Sequence, residues 1–513
     1  MMNMLLLVGS IFAFSQPYSG EKLSRGLIGI PTEEGMYFSW RMTLEDAAGL
    51  QFDLYRSSGG GAEVKLNKEP IDRTSDFLDR TVDYTVDNRW TLKATTGEVA
   101  TWTRLKGEKR NPYLSIPVCK PEDGEIAGES FTYTANDCSV GDLDGDGEYE
   151  IILKWSPSNS KRPPQRGFTG NTYLDAYKMD GRRLWRIDLG PNVRSGAATT
   201  NFLVFDFDGD GCAEICCKTG DGTVDGLGHR IGDAQADWRT WDKKSPTYGK
   251  IVNGPEYLTV FEGRTGKELD SKEYIPTRYP LDGWGGVGGN CGNDNTGGRS
   301  DRFTAGVAFL DGKTPSPMVR GWYGRTVVAA WTFTNGALKH TWTFDSAAPG
   351  WEAYSGMGNH SVTVADFDGD GCDEICVGAM TVDHDGKGLF TTGLRHGDAL
   401  HAGRFIPSRQ GMQVFGVHEN EGDNEIVKRT PAVAMFDGAT GEIIWQDGLG
   451  QDAGRGVAAD IDPRYDGAEC WCNIGGLRRG DTGEIISNRK PDSCNFTIYW
   501  DADPLAELLD HVS

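Results

Sequence analysis

Three copies of one acidic loop offer the chemistry of a cation site. They read DLDGDGEYE, DFDGDGCAE and DFDGDGCDE, and each places carboxylates at its first, third, fifth and ninth positions. Glycines at the fourth and sixth positions let the chain turn sharply around an ion. Such oxygen-rich loops suit a hard cation, so the sequence predicts several calcium ions bound by Asp142, Asp144, Asp146, Glu150, Asp206, Asp208, Asp210, Glu214, Asp366, Asp368, Asp370 and Glu374.

A fourth, irregular copy lies in the segment GVAADIDPRYDGAE. Its separated carboxylates predict a further calcium loop made by Asp460, Asp462, Asp466 and Glu469. Calcium in loops of this kind most often only holds a turn in place. The motif is therefore stronger evidence for a bound metal than for catalysis.

The segments beside these loops are apolar and β-branched, as in SVGD and EIILKW around the first loop. An EF-hand would need helices there, so the loops are predicted to join β-strands. Degenerate copies begin at Ala305, Leu400 and Gly456, which makes six units with hairpin motifs such as YKMDGRRLWRIDL between them. Residues 126–513 are therefore predicted to form an all-β, calcium-binding β-propeller.

The first quarter of the chain has a different pattern. Alternating segments such as MYFSWRM and LQFDLYR predict a β-sandwich of fibronectin type III character at residues 21–125, with Trp40 and Tyr55 in its core. Residues 1–20 hold an apolar run typical of a secretory signal that lacks a basic start, which indicates a secreted or periplasmic protein. No later stretch is apolar enough to predict a membrane span.

Charge and cysteine content limit the class of protein. The 52 basic and 75 acidic residues give a net charge of −23, which argues against a nucleic-acid partner. A polyanionic substrate would need bound calcium or local arginines to reverse the charge of its cleft. The 11 cysteines allow no pairing to be assigned from their spacing, and no CxxC pair favours zinc.

At this point a family resemblance is visible. The motifs FTYTANDCSVGDLDGDGEYEIILKW, SPSNSK, TGNTYLDAYKMDGRRLWRIDLG, GNHSVTVADFDGDG, TGLRHGDALH, VFGVHE and GRGVAADIDPRYDGAE follow one another in unbroken order. In these motifs the chain resembles the rhamnogalacturonan lyases of polysaccharide lyase family 11. The resemblance implies an eight-bladed propeller with an attached sandwich, several calcium ions, and a monomer that cleaves the rhamnogalacturonan I backbone of pectin by β-elimination.

The resemblance also assigns site residues. Asn136 matches a residue that contacts galacturonate, and Arg455 matches an arginine of the active cleft. His360 and His396 match histidines associated with calcium near that cleft. From the residues alone, Arg455 stands out, because the flanking glycines permit close approach of a ligand and its guanidinium can grip a carboxylate.

Departures from the family pattern weaken the expectation of activity. Ser156 stands where the family has a substrate-contacting aspartate, and Ala198 stands where it tends to have histidine. The family's Asn-Gly-Thr-Lys segment and its closing strands would follow Ser513, so we expect the C-terminal blades to be missing and activity to be impaired. If Arg455 is not the critical cation, Lys154 and Lys218 are the next basic candidates.

Two other classes of protein share parts of this pattern. A noncatalytic carbohydrate-binding or adhesion propeller would also carry calcium loops, and a quinone-dependent dehydrogenase propeller would carry GxTGExxW hairpins. Neither would share the unbroken match outside the loops. The sequence therefore favours the lyase, with the noncatalytic propeller as the alternative.

Overall fold

The computed structural model describes residues 20–43, 46–109, 111, 113–420, 425–499 and 505–509. Every described regular element is a β-strand or a short 3-10 helix, and the described ranges contain no α-helix. The 3-10 helices are Leu281–Gly285, Val287–Gly289, Glu352–Tyr354 and Val427–Arg429. None of these helices is long and apolar enough to cross a membrane. The all-β prediction is confirmed, whereas the signal-like segment lies outside the described residues.

Two antiparallel sheets form the N-terminal part. The chain order of their strands is β1 (Ile28–Pro31), β2 (Met36–Ser39), β3 (Phe52–Ser58), β4 (Val64–Lys65), β5 (Asp76–Asp79), β6 (Asn88–Ala94) and β7 (Val99–Arg104). One sheet has the order β1-β2-β5 and the other β4-β3-β6-β7. The two sheets share one buried cluster, in which the rings of Phe38 and Trp90 lie 4.9 Å apart.

One aromatic residue of this core was predicted correctly and one was not. Trp40 is buried among Phe52 and its neighbours. Tyr55 is only partly buried, and the Lys93 ammonium lies 4.2 Å from the centre of its ring. Strand alternation explains the error, because Phe52 and Leu54 take the inner face of β3 and Tyr55 falls on the outer face.

Beyond the hairpin of β8 (Gly124–Ile126) and β9 (Glu129–Phe131), which spans the predicted domain boundary, the structure holds six four-stranded antiparallel sheets, called here repeat sheets one to six. Each has its strands in chain order. Repeat sheets one to three contain β10 (Tyr133–Gly141), β11 (Glu150–Pro157), β12 (Tyr173–Tyr177), β13 (Arg183–Asp188), β14 (Phe202–Phe205), β15 (Glu214–Gly220), β16 (Glu256–Phe261), β17 (Glu268–Glu273), β18 (Phe303–Ala308), β19 (Ser316–Gly321), β20 (Val327–Thr334) and β21 (Ala337–Asp345).

Repeat sheets four to six follow the same plan. They contain β22 (Gly358–Ala365), β23 (Glu374–Gly378), β24 (Met380–Val382), β25 (Gly388–Thr391), β26 (Gly397–Gly403), β27 (Gln413–His418), β28 (Val433–Asp437), β29 (Ile443–Asp447), β30 (Gly456–Ala459), β31 (Glu469–Cys472), β32 (Leu477–Arg479) and β33 (Ile485–Ser487). A final pair consists of β34 (Phe496–Ile498) and β35 (Glu507–Leu509). Each of the six predicted strand–loop–strand units provides the first two strands of one repeat sheet.

Consecutive repeat sheets pack face to face through separate apolar clusters. Ile152 of sheet one and Ile215 of sheet two share a cluster, and Val328 of sheet three and Ile375 of sheet four share another. The first strand of each repeat sheet lies beside the first strand of the next. Because the first strands lie side by side, the loops at their ends are brought together, and these loops build the site. The described cysteines form no disulfide.

Candidate active site

A cleft of about 700 Å³ opens where the first strands of the repeat sheets meet. Several different repeat sheets and their connections contribute to its walls. The residues that matter for its chemistry are Lys161, Arg162, Ala198, Arg302, Trp322, Tyr323, His360, Asp398 and Arg455. Two residues singled out by the sequence, His360 and Arg455, are therefore brought into one cleft although they lie far apart in the chain.

Positive charge dominates the walls of this cleft. Lys161, Arg162, Arg302 and Arg455 all line it, although the whole chain carries a net charge of −23. Arg302 lies over the Trp322 ring at 4.9 Å, which fixes its guanidinium against a buried aromatic face. Arg455 is exposed, and its Nη1 donates a 3.4 Å hydrogen bond to the carbonyl oxygen of Asp398. The cleft can therefore attract an anionic ligand that the rest of the surface repels.

Two histidines and two carboxylates converge at one side of the cleft. His360 lies on β22, His396 directly precedes β26, Asp398 lies on β26 and Glu419 directly follows β27. One ligand atom from each of the four lies within 4.8 Å of the others. His360 Nε2 is 3.4 Å from Asp398 Oδ1, and His396 Nε2 is 2.9 Å from Glu419 Oε2. The predicted pair His360 and His396 thus belongs to a group of four.

The orientation of His396 favours a cation in this group. Its Nδ1 donates a 2.6 Å hydrogen bond to the carbonyl oxygen of Gly358, so the proton of a neutral ring lies on Nδ1. Its buried Nε2 lacks an aligned hydrogen-bond partner despite its closeness to Glu419, as expected for two electron pairs that face one ion. Tyr323 stacks on the ring at 3.6 Å and prevents it from turning away.

The charges of the two carboxylates support the same interpretation. Burial and the neighbouring Glu419 raise the pKa of Asp398 above its usual value. A divalent cation would relieve the repulsion between the two acids. Carboxylate oxygens suit calcium, and imidazole nitrogens also suit softer divalent ions, so the donor set fits a divalent metal.

A second recess adjoins the cleft and shares His360 with it. The side chain of Lys154 on β11 is 1% exposed and forms an ion pair with the exposed Asp137 on β10. The β10–β11 register shifts between Ala135 and Cys138, and this bulge carries Asp137. Bulges of this kind re-aim side chains beside functional sites.

The bulge also carries Asn136, the predicted galacturonate contact. Ser156 Oγ donates a 3.1 Å hydrogen bond to Asn136 Oδ1, so the two residues predicted to bind substrate are neighbours. Ala198 lines the main cleft, where its methyl group offers no hydrogen bond. Lys218 lies away from the cleft, buried in ion pairs with Glu256 and Asp301. Lys154 and Lys218 are the alternatives to Arg455, and of these two only Lys154 lines the recess beside the cleft.

The acidic loops all join the first strand of a repeat sheet to its second strand. Loops one, two and three belong to sheets one, two and four, and the irregular fourth loop belongs to sheet six. In the first loop, Asp142 accepts hydrogen bonds from the amides of Gly145 and Gly147. Asp206 and Asp366 repeat this pattern. Each loop is thereby folded around its first carboxylate, with the later carboxylates turned toward one point.

The hydrogen bonds and the pKa of the last glutamate in each loop indicate whether the loop suits a bound cation. In all four loops one oxygen of this residue accepts a backbone amide, at distances from 2.7 to 3.1 Å. The other oxygen of Glu150, of Glu374 and of Glu469 is buried without an aligned hydrogen-bond donor, although the Lys178 ammonium lies 2.8 Å from that of Glu150. Burial and the nearby acids raise the pKa of Glu214 to about 9 and that of Glu374 and Glu469 to about 7. Burial raises the pKa of Glu150 in the same direction. All four loops therefore present a carboxylate that a cation would stabilise, and in the first loop the Lys178 ammonium already lies beside it.

The other aspartates of the second, third and fourth loops differ in their exposure and in their partners. Asp208 and Asp210 are exposed beside Asp206, within reach of one ion. In the third loop, Asp368 and Asp370 lie at the surface, and His384 Nδ1 is 3.3 Å from Asp370 Oδ2. In the fourth, Asp460 has a buried oxygen without a partner, whereas Asp462 pairs with Arg464.

Sequence reasoning missed two residues of this candidate site. Asp398 and Glu419 complete the histidine group, and both lie inside motifs that carry the family resemblance, LRHGDALH and VFGVHE. Asp398 follows His396 by two positions, which on an extended segment puts both side chains on one face. Glu419 carries no such signal, because its position depends on how sheet five folds back.

Comparison with known families gives two matches. A model described as rhamnogalacturonan lyase family 11, C-terminal domain, matches residues 113–513. A model described as the rhamnogalacturonan I lyases beta-sheet domain matches residues 18–105. The two matches together span both the N-terminal sheets and all six repeat sheets.

Individual relatives agree with these matches. The rhamnogalacturonan exolyase YesX of Bacillus subtilis (strain 168) is 48% identical over 96% of this chain and 78% of its own length. The endolyase YesW of the same strain is 46% identical over 96% of this chain and 75% of its own length. The solved structure of a Bacillus licheniformis rhamnogalacturonan lyase superposes with a TM-score of 0.86 at 47% identity, covering 97% of this chain and 80% of the other.

Proposed function

Because this chain belongs to rhamnogalacturonan lyase family 11, we propose that it cleaves the rhamnogalacturonan I backbone of pectin by β-elimination. The product is an oligosaccharide that ends in a 4,5-unsaturated galacturonate. The observation that carries this proposal is the group of four cationic side chains in the cleft of a strongly acidic protein. A uronate polymer is an anion, and this cleft is the place where such a polymer is attracted.

The reaction needs the C5 proton of galacturonate to leave. A basic side chain takes the C5 proton, the electron pair of the C5–H bond forms the C4–C5 double bond, and the bond from C4 to the glycosidic oxygen breaks. The glycosidic oxygen then takes up a proton from water. Negative charge develops on the uronate carboxylate as the C5 proton departs. Arg455 and Arg302 are placed to stabilise this charge, since a guanidinium can hold a carboxylate through two parallel hydrogen bonds.

The histidine group is proposed to hold the catalytic cation through His360, His396, Asp398 and Glu419. When bound, calcium would neutralise the substrate carboxylate and make the C5 proton more acidic. Tyr323 keeps His396 in its ligand orientation through the stacked rings. On the other side of His360, Lys154 lines the recess and Asn136 lies on the bulge that carries Asp137 to it, so a neighbouring part of the polymer would bind there.

The second, third and fourth acidic loops are proposed to hold calcium ions with a structural role. We also propose that the repeat sheets are blades of a β-propeller and that the N-terminal sheets are a fibronectin III-like sandwich. Adjacent first strands and face-to-face packing of consecutive sheets support the propeller, because blades radiate from an axis lined by their first strands. Such an enzyme would act where pectin is found, as a secreted or periplasmic monomer.

The test is release of ultraviolet-absorbing unsaturated product from rhamnogalacturonan I, with homogalacturonan as the control substrate. We expect product from the first polymer alone, because the proposed site recognises rhamnose next to the uronate. Calcium is supplied in excess. Binding of rhamnogalacturonan I without unsaturated product would instead support the noncatalytic carbohydrate-binding propeller. Product from homogalacturonan at an equal rate would contradict the proposed substrate.

A further inference from the structure

The first acidic loop differs from the others because a side chain of the protein enters it. Lys178 directly follows β12, and its ammonium lies 2.7 Å from Asp144 Oδ2, 2.8 Å from Asp146 Oδ2 and 2.8 Å from Glu150 Oε1. These are the third, fifth and ninth positions of the loop. The side chain of Lys178 is 13% exposed and that of Glu150 is fully buried. The ammonium therefore lies where the loop would otherwise gather its oxygens around a calcium ion.

The second and third loops have no lysine at the equivalent position, and in the fourth loop this position is taken by Arg479, which pairs with Asp481. Tyr177 pairs with Ile151, and in the next sheet Phe261 pairs with Ile215, so Glu262 takes the place of Lys178 in the second loop. In the fourth sheet Val382 pairs with Ile375, which places Asp383 there. Both replacements are acids. They add a negative charge to a loop where Lys178 adds a positive one.

The carboxylates at the third, fifth and ninth positions of the second and third loops, which lack a counterpart of Lys178, also lack, within the described ranges, the lysine ion pairs seen in the first loop. In the described part of the chain, Asp208, Asp210 and Glu214 of the second loop have no ion-pair partner. In the third loop His384 Nδ1 lies 2.8 Å from Asp383 Oδ1 and 3.8 Å from Glu374 Oε1 without an aligned hydrogen bond, so it faces the acids as a possible ligand. Only the first of the three DxDGDG loops holds its own cation, among the residues that the structure describes.

We infer that Lys178 replaces calcium in the first acidic loop, whereas the second and third loops bind calcium. An ion and an ammonium at one point would repel each other, and the lysine is tethered, so it does not have to be captured from solution. Burial opposes the charge of Lys178, yet the three carboxylates raise its pKa above the usual value. The inference rests on the proposed lyase with its calcium loops, and it departs from the prediction that Asp142, Asp144, Asp146 and Glu150 bind calcium.

The location of this loop gives the replacement a consequence. The Asp142 amide donates to Glu21, and the Ser24 amide donates a 2.8 Å hydrogen bond to the carbonyl oxygen of Gly147. Arg41 also lies over the ring of Tyr149 at 4.8 Å. The first loop is therefore the joint that holds the N-terminal segment against repeat sheet one. With Lys178 in place, this joint does not depend on the calcium concentration.

The test counts bound calcium in Lys178→Met, which keeps the length of the side chain but removes its charge. Protein is equilibrated with calcium, passed into calcium-free buffer and analysed for metal by atomic emission. Lys387→Met is the matched control, because Lys387 is an exposed lysine in the equivalent hairpin of sheet four. We expect one additional calcium ion per chain in Lys178→Met and none in the control. An unchanged calcium content in Lys178→Met would overturn the inference.

A second pair of variants serves if Lys178→Met does not fold. Asp146→Asn removes a carboxylate from the first loop, and Asp210→Asn removes the equivalent carboxylate from the second loop. We expect Asp146→Asn to leave the calcium content unchanged and Asp210→Asn to lower it. Loss of calcium in Asp146→Asn, or an unchanged content in Asp210→Asn, would overturn the inference. Neither measurement uses activity, so the outcome is independent of the proposed lyase reaction.

Discussion

The indole nitrogen of Trp185 donates a 2.7 Å hydrogen bond to the carbonyl oxygen of Gly263, which belongs to the next repeat sheet. The relationship recurs twice, as Trp342 donates to the carbonyl of His384 and Trp445 to that of Gly480. In each case the tryptophan lies on the fourth strand of one sheet and the acceptor in the hairpin of the following sheet. The tryptophans therefore join sheets one to two, three to four and five to six.

A glycine under each tryptophan makes this contact possible. A Cβ atom added at Gly266, in the hairpin between the third and fourth strands of sheet two, would lie 2.8 Å from the Trp185 ring. Gly336 lies in the corresponding hairpin of sheet three, and a Cβ atom added there would meet nothing within 4 Å. Both glycines have positive φ, 67° and 72°. We expect Gly266→Ala to lower the free energy of unfolding by roughly 1–3 kcal/mol more than Gly336→Ala, the cost of overpacking a filled site. If urea unfolding gives equal losses of unfolding free energy for the two variants, the packing of Trp185 on Gly266 does not stabilise the contact between the sheets.

The sequence predicted the strands and hairpins well and the contacts between sheets poorly. The DxDGDG motif located the turn between the first and second strands, because its glycines and acids have local reasons to be there. The DGxxLW motif located a hairpin, but the partner of Trp185 lies 78 residues away. The spacing of residues within one hairpin does not indicate which residue, far along the chain, its tryptophan will contact.

The same limit applies to the candidate site. His360 and His396 were identified through motif resemblance, whereas Asp398 and Glu419 were recognised only when three separate segments met. Arg302 and Lys161 had no motif of their own, and their role follows from lining the same cleft as Arg455. Charge alone could not find them, since the chain has 52 lysines and arginines.

Arg455 can be tested by removing its guanidinium. We expect Arg455→Ala to lower kcat/KM on rhamnogalacturonan I roughly 10²–10³-fold, the usual cost of removing one group that stabilises developing negative charge. Arg455→Lys should recover part of the loss, because it restores the charge but not the two-pronged geometry. The control is Arg409→Ala, at an exposed arginine in the turn between β26 and β27. A rate near that of the unchanged protein in Arg455→Ala would remove it from the proposed mechanism.

The metal assignment of the histidine group can be tested without substrate. Glu419→Gln keeps the size of the side chain but removes the charge that faces His396 Nε2. We expect the affinity for a divalent ion at this site to fall about tenfold or more, as seen when metal-site partners are lost. Titration with calcium and with manganese, followed by calorimetry, measures the change and identifies the preferred ion. Glu442→Gln, at an exposed turn, should leave both titrations unchanged.

Substitutions of Lys218 and Lys154 should have different effects, the first mainly on stability and the second mainly on activity. Lys218 Nζ lies 2.6 Å from Glu256 Oε1 and 3.0 Å from Asp301 Oδ1, with both acids largely buried. Lys218→Met removes the ion-pair partner of Asp301, whereas Glu256 keeps Arg278. The substitution should cost roughly 3–5 kcal/mol of unfolding free energy. Lys154→Met should cost less, since Asp137 is exposed to water, but should reduce activity because Lys154 faces the recess. The prediction fails if Lys154→Met is the less stable variant and keeps full activity.

His401 predicts how stability changes with pH. Its Nε2 donates a 2.9 Å hydrogen bond to the carbonyl oxygen of Gly456, and burial lowers the pKa of the ring below its usual value. The folded state therefore binds a proton less readily than the unfolded chain. The contribution of His401 is fully present above the unfolded pKa, near 6.5, and is lost as pH falls toward the lower folded value.

We expect His401→Asn to flatten the fall in melting temperature between about pH 7.5 and pH 5.5, because the amide can still donate to Gly456 but takes up no proton. The exposed His229, 67% accessible at its side chain, provides the control. His229→Asn should leave the slope as it is in the unchanged protein. If the His401→Asn and His229→Asn slopes coincide, the acid sensitivity of this region arises from other groups.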